Sequence, residues 1–269
     1  MTEHADGEGA LFSQADAYEL FMGRWSRTLA PKLVEFAGVD GVRDVLDVGS
    51  GTGALAAAVA VVEPDARIVG VDPAAAYVEI AQARRPSENA TFEAGNAQQL
   101  RFETASFDCA LSLLAFNFIP SPEKALLEMT RVVRRGGTVA AAVWDYGSEM
   151  QMLRVFWDAA IALRPEDDSK DERHMPLTGQ GQLAELWRRH GLHRVVEGEL
   201  TMEMTFGSFD DYWMPFTQKQ GPAGAYLAGL TAAQQEALRG RLRPRLLGSE
   251  TDRPFTLGAR AWAARGVVA

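Results

Sequence analysis

A chain of 269 residues, 47% hydrophobic and 23% charged, has the composition of a globular protein and is long enough for one well-buried domain. A net charge of −9 repels phosphate backbones, so no nucleic-acid partner is expected, and a single cysteine, Cys109, excludes an internal disulfide or a cysteine-built zinc site. The longest apolar run, Ala54 to Val62, is too short for a membrane span, and the acidic segment Met1 to Ala10 lacks signal-peptide chemistry, so a cytoplasmic protein is expected.

In chain order, Ser13 to Asp16 predicts a helix start with an acidic first turn, running through Tyr18, Leu20, Phe21 and Trp25. Pro31 either ends that helix or opens a second one. From Val42 the rhythm changes to short apolar strands alternating with helices. Strands are expected at Val42 to Val48, Arg67 to Val71, Thr91 to Ala94, Phe107 to Leu114 and Thr138 to Trp144. The helices between them are Ala54 to Val62, Ala74 to Arg84, and Pro122 to Val133, the last ended by Gly136-Gly137. Strands apolar on both faces imply a mostly parallel sheet covered by helices on both sides.

After Trp144 the alternation loosens. Met150 to Leu163 and Leu183 to His190 read as helices, and between them Arg164 to Arg173 reads as an exposed, mobile, carboxylate-rich loop. Leu192 to Phe206 and part of Phe255 to Val268 have strand character, and Ser208 to Leu247 reads as an inserted helical cap. The basic run Arg239 to Arg245 is broken by Gly240, Leu242 and Pro244 and reads as a solvated helix end. Cys109 reads as a buried strand residue.

The chemistry concentrates in Val45-Leu46-Asp47-Val48-Gly49-Ser50-Gly51-Thr52-Gly53. A strand entering a glycine turn that opens a helix presents backbone N–H groups and the positive helix end at the strand's carboxyl edge, a geometry suited to a nucleotide-like cofactor. Val69-Gly70-Val71-Asp72 follows, with Asp72 at the end of the second strand, placed to accept from both ribose hydroxyls. Gly49, Gly51 and Ala54 also satisfy the dinucleotide spacing G-x-G-x-x-A, so an NAD-dependent oxidoreductase is the rival reading. Against it, Asp47 would crowd a pyrophosphate, Gly53 stands where a dinucleotide turn packs a larger residue, and no Tyr-x-x-x-Lys pair follows.

With these residues in view the chain resembles a Rossmann-like class I S-adenosylmethionine-dependent methyltransferase, of the group that includes the ubiquinone and menaquinone biosynthesis methyltransferases. The resemblance covers residues 13 to 144 and rests on five motifs in order: Asp47-x-Gly49-x-Gly51-x-Gly53, Asp72-Pro73, Gly95-Asn96-Ala97, Ser112 to Pro120, and Arg135-Gly136-Gly137. It implies S-adenosyl-L-methionine as cofactor, bound by Asp47, Gly49, Ser50, Gly51, Gly53, Asp72, Pro73, Asn96, Ala97 and Leu113. Asn96 departs from the family's usual aspartate, though its amide oxygen still accepts a hydrogen bond. Tyr18, Arg24 and Trp25 resemble the helix that folds over the methionine end, with Arg24 pairing the cofactor carboxylate. Alternatively, Tyr18, Phe21 and Trp25 are simply the apolar face of an amphipathic helix.

The resemblance implies one α/β methyltransferase domain whose mostly parallel sheet carries an antiparallel final strand. Residues 10–38 would form a helical N-terminal cap, 42–146 the cofactor-binding core, and 147–269 a C-terminal half with its helical insertion at about 208–247. Methyl transfer needs orientation more than acid–base chemistry, so the lack of an obvious triad does not argue against an enzyme. His174, His190 and His193 are accounted for by a solvated loop and a helix end. Trp144 and Tyr146, after the fifth strand, and Phe116 are candidates for the acceptor pocket, as are Tyr212 and Trp213 in the cap, where core packing competes. A small-molecule acceptor is expected, and a non-catalytic cofactor-binding sensor or assembly protein would carry the same motifs.

Overall fold

The computed structural model describes residues 19–249 and 251–269. A π-helical turn, Glu19–Gly23, continues into α1 (Arg24–Ala37). The core then alternates β1 (Asp44–Val48), α2 (Ala54–Val62), β2 (Arg67–Asp72), α3 (Ala75–Arg84), β3 (Ala90–Ala94), β4 (Phe107–Leu113), α4 (Pro122–Val132) and β5 (Val133–Trp144). The second half comprises α5 (Gln151–Leu163), two 3-10 turns (Pro165–Lys170 and Glu172–His174), α6 (Gln182–Arg189), β6 (His193–Phe206), α7 (Phe209–Thr217), α8 (Gly221–Ala228), α9 (Ala232–Leu247) and β7 (Phe255–Val267).

The strands form one seven-stranded sheet in the order β3-β2-β1-β4-β5-β7-β6. The first five are parallel, and β7 runs antiparallel to both of its neighbours. This is the Rossmann-like sheet expected from the sequence, with the antiparallel strand arising from the last element of the chain. The order reverses at β1, so the carboxyl ends of β1 and β4 diverge there and open the crevice in which such sheets bind ligands.

Strand periodicity of two assigns side chains to the two faces. On β5, Ala140, Ala142 and Trp144 join the core beneath α1, α5 and the cap, while Val139, Ala141 and Val143 pack on the opposite side with α4 and α6. Small alanines let the helices approach the sheet closely. The opposite face is fastened by Trp187 of α6, whose Nε1 donates to the Val139 carbonyl at 2.9 Å. On β1, Val45 faces the first core, and Asp47, two residues on, points to the same side.

The cap forms from local signals. Ser208 accepts from the Asp211 N–H at the start of α7, and Thr231 with Gln234 forms a capping box at the start of α9. Its aromatic residues turn inward: Phe216 stacks on Phe156 at 4.5 Å between centroids, and Tyr212 Oη donates to the Met152 carbonyl at 2.9 Å. The basic run lies on α9, where Arg239 pairs with Asp210 and Arg245 with Asp158.

Three local expectations are corrected. Pro31 neither ends nor opens a helix; α1 passes through it. Gly136-Gly137 does not end α4, which stops at Val132, but lies within β5, where a Cβ on Gly137 would come within 2.4 Å of the Asp108 carbonyl oxygen. The close approach of β4, not helix termination, therefore requires that glycine. Finally, Arg164 to Arg173 is exposed only in part: Asp167, Asp171 and Glu172 are buried, the first two paired with cations within and beside the segment and Glu172 accepting from the Trp157 indole N–H.

The principal such cation is Arg154 on α5. Its guanidinium donates to both oxygens of Asp171, at 2.7 and 2.9 Å, and to the Tyr146 carbonyl at 3.0 Å. Arg154→Met would leave the buried Asp171 with only the more exposed Arg173 as counter-charge and would unpair the Tyr146 carbonyl; a loss of about 3 kcal/mol is expected in chemical denaturation.

Candidate active site

The switch-point crevice is a cavity of about 350 Å³. Its floor is the glycine turn after β1, which three contacts shape. The Gly49 and Ser50 N–H groups both donate to the Val71 carbonyl, at 2.8 and 3.1 Å, folding the turn back over β2. Gly49, Gly51 and Gly53 have φ of +72°, +51° and +86°, a region that side-chain-bearing residues avoid. A Cβ on Gly49 would also meet the Ala115 Cβ at 2.4 Å, so the post-β4 wall could not approach a larger residue.

Asp72, at the end of β2, stands on the cavity wall. Its Oδ2 accepts from the Gly51 N–H and its Oδ1 from the Ala74 N–H, both at 2.9 Å. Each oxygen therefore keeps one lone pair for a ligand. Burial pushes the carboxyl above the usual range, and the two amide bonds oppose that shift.

Asp47 lies deeper, 1% exposed, and neither carboxylate oxygen has a hydrogen-bond partner among the described residues. Burial raises its pKa to about 7; the nearby Ala56 amide offsets part of this, and the Asp72 charge adds to it. A buried carboxylate left in this condition lowers stability and marks a place where an external group completes the hydrogen bonding.

The roof comes from the N-terminal turn and the inserted cap. Phe21 and Met22 of the N-terminal turn and Gln220, Gly221 and Pro222 at the start of α8 line the cavity. Tyr77 Oη donates to Gln220 Oε1 at 3.3 Å, tying α3 to the cap. Glu19 fixes the N-terminal turn by accepting from Thr52 Oγ1 in the glycine turn and from the Arg84 guanidinium on α3. The remaining wall is largely apolar: Leu113, Leu114 and Ala115, then Phe118 and Ile119, then Trp144 and Tyr146. Leu114 takes a left-handed φ of +60°, turning the chain out of β4 along this wall.

The comparisons with known proteins agree with this geometry. The sequence pattern of a methyltransferase domain matches residues 46–141. An uncharacterized protein of Mycobacterium tuberculosis (strain ATCC 25618 / H37Rv) is 33% identical over 155 residues, 55% of this chain and 56% of that protein. The chain thus spans little more than half of that relative's length. The ubiquinone/menaquinone biosynthesis C-methyltransferase UbiE of Rhizobium etli is 33% identical over 126 residues, 43% of this chain and 46% of UbiE. The crystal structure of a methyltransferase so named from Bacillus halodurans superposes with a TM-score of 0.56 at 18% identity, covering 88% of this chain and 97% of the other. Residues 46–141 thus match a methyltransferase domain, and the chain shares the fold of a solved methyltransferase.

Of the candidate site residues, Gly49, Gly51, Asp72, Pro73, Ala97, Leu113, Trp144 and Tyr146 meet around one cavity. Ser50 and Gly53 shape the turn beneath it: Ser50 is buried, its hydroxyl without a partner among the described residues, and a Cβ on Gly53 would press on Phe92. Asn96 faces a neighbouring hollow, and its Oδ1 accepts from the Gln98 backbone at 2.9 Å, so the amide oxygen is occupied in closing its own turn. Tyr18 lies outside the described residues.

Five candidates fall away from the cavity. Arg24 is held by Asp211 at 2.8 Å and lies over the Trp25 and Phe206 rings, so its charge is already matched. Trp25 packs on Phe206 in the core, the amphipathic-face alternative. Phe116 is buried on the opposite face of the sheet against Trp187. Tyr212 and Trp213 pack within the cap. The aromatic residues of the cap thus serve its attachment, and α8 provides the residues that face the cavity.

Sequence reasoning missed Phe21, Met22, Tyr77, Gln220 and above all Glu172. Only the apolar periodicity through Phe21 hinted at the first of these. Glu172 has no sequence signal, standing among other carboxylates.

Asp47 generates a pH prediction. Its folded pKa of about 7 exceeds the ordinary 3.8, so the folded protein holds an extra proton between those values and loses stability as pH rises through them. Asp47→Asn removes that term. Its denaturation free energy relative to wild type is expected to rise between about pH 4 and 7, by up to ~4 kcal/mol, and then level off.

Proposed function

We propose that this protein transfers a methyl group from S-adenosyl-L-methionine to a small, largely apolar organic acceptor. The observation that carries the reading is the pair of carboxylates at the glycine turn: Asp72, half-satisfied on the cavity wall, and Asp47, buried behind it with no hydrogen-bond partner among the described residues. Together they suit a ligand with a vicinal diol and a cationic amino group. The same pair disfavours a dinucleotide, whose pyrophosphate would bring negative charge toward Asp47.

Asp72 would accept from the two ribose hydroxyls, while Gly49 and Gly51 let the ligand approach the main chain. Pro73 and Ala97 would flank the adenine ring, and Leu113 would pack beside it. Asp47 would answer the positive charge of the amino-acid end, directly or through the turn that it supports. When bound, this cofactor supplies an electrophilic methyl group on a sulfonium. The protein's own task is orientation and exclusion of water. Phe21 and Met22 cover the cavity from one side and Gln220 to Pro222 from the other, while Phe118, Ile119, Trp144 and Tyr146 provide apolar and aromatic surface for an acceptor.

Calorimetric titration with S-adenosylhomocysteine is expected to show micromolar binding, with none of NADH; binding of NADH alone would replace this reading with a redox one. Asp72→Ala is expected to weaken S-adenosylhomocysteine by about 1.5–3 kcal/mol, roughly 10- to 150-fold. An unchanged affinity would move the site elsewhere.

A further inference from the structure

Glu172 is the one carboxylate on the cavity wall that the cofactor reading leaves unused. It is 2% exposed, and its Oε2 accepts from the Trp157 indole N–H at 2.7 Å. Its Oε1 takes part in no hydrogen bond among the described residues. The cavity that it lines is otherwise largely apolar, with Phe118, Ile119, Trp144 and Tyr146 on its wall. A side chain serving only as partner to Trp157 would need one oxygen and no charge; a glutamine would serve with less desolvation cost.

The placement of Glu172 is also over-determined. Asp171, its chain neighbour, accepts from the Arg173 N–H and so caps the turn that carries Glu172. Arg154 grips Asp171 and, with the same guanidinium, the Tyr146 carbonyl. One buried cation thus fixes two parts of the cavity wall that are distant in sequence. Arg154 is a positioning residue; Glu172 is the group presented to the ligand.

We infer that Glu172 is the acceptor-side catalytic residue: its Oε1 receives the hydrogen bond, and then the proton, of a hydroxyl borne by an apolar, ring-containing acceptor. This rests on the methyl-transfer reading above. The hydroxyl oxygen keeps the electron pair of its broken O–H bond and forms the new C–O bond. The donor's carbon–sulfur bond breaks with its pair remaining on sulfur, and the proton ends on Glu172.

The electrostatics match that role. Burial raises the Glu172 pKa to about 7; the Trp157 hydrogen bond opposes this, Asp171 adds to it, and Arg154 opposes it. The other titratable groups on the cavity wall are Tyr146, Asp72 and Tyr77. A general base works best when its pKa lies near the working pH. With Oε2 held by Trp157, the proton of the acid form sits on Oε1, so protonation turns an acceptor facing the cavity into a donor.

The test compares 2-naphthol with 2-methoxynaphthalene, titrated into the full-length protein saturated with S-adenosylhomocysteine. At about pH 8 wild type is expected to prefer the naphthol by at least about tenfold, and at about pH 6 to lose that preference. Glu172→Gln imitates the acid form, its amide oxygen taking the Trp157 bond and its NH2 facing the cavity. It is expected to show no naphthol preference at either pH, with S-adenosylhomocysteine affinity within about twofold of wild type. With S-adenosylmethionine, kcat for 2-naphthol should fall at least about 100-fold in the variant, with KM changing less. Equal affinity of wild type for the two probes, including binding of neither, overturns the proposal, as does a preference unchanged in Glu172→Gln. Should that variant fail to fold, the wild-type pH dependence decides alone. Failure of wild type to bind S-adenosylhomocysteine overturns the methyl-transfer reading instead.

Discussion

The Val71 carbonyl accepts two amide protons, those of Gly49 and Ser50, and the site depends on that double acceptance. It folds the turn after β1 down over the end of β2. That fold brings the Gly51 N–H onto Asp72 and leaves room for the post-β4 wall to close against Gly49. A side chain at Gly49 would meet both a left-handed φ and the Ala115 methyl group. The turn, the Asp72 carboxylate and the apolar wall are therefore one construction, assembled where the strand order reverses.

Around that construction the protein holds several carboxylates in states that cost stability. Among the described residues, Asp47 is buried with no hydrogen-bond partner, Asp72 accepts one bond on each oxygen, and Glu172 has a partner for one oxygen only. By contrast, Asp171, equally buried, is fully matched by Arg154 and Arg173. The difference follows position. Carboxylates facing the cavity or the glycine turn retain acceptor capacity, while the one behind the wall spends its capacity on protein donors. Perturbed groups concentrated around one crevice are the expected signature of a functional site.

The N-terminal turn and the inserted cap meet over the crevice, each held by different physics. The N-terminal turn is held by charge, with Glu19 bridging the glycine turn and α3. The cap is held by aromatic packing of Phe156, Phe216 and Tyr212 against each other and against β6. The Tyr77–Gln220 hydrogen bond then joins cap to core at the cavity rim.

The sequence by itself determined the sheet and the cofactor side of the site. Strand and helix periods, together with glycines at fixed offsets from β1 and an aspartate at the end of β2, are local signals, and they put Asp47, the glycines and Asp72 in place. It did not determine what Arg24, Trp25, Phe116 and Tyr212 touch, because an aromatic or cationic residue at helical spacing serves a pocket or a core equally well in one dimension. It also concealed the fate of Arg164 to Arg173, a segment whose charge reads as exposed. Only the tertiary structure supplied Arg154 as the cation that allows Asp171, and with it Glu172, to be buried. The wall that carries Glu172 was decided by contacts among residues separated by up to tens of positions, and no local pattern encodes such contacts.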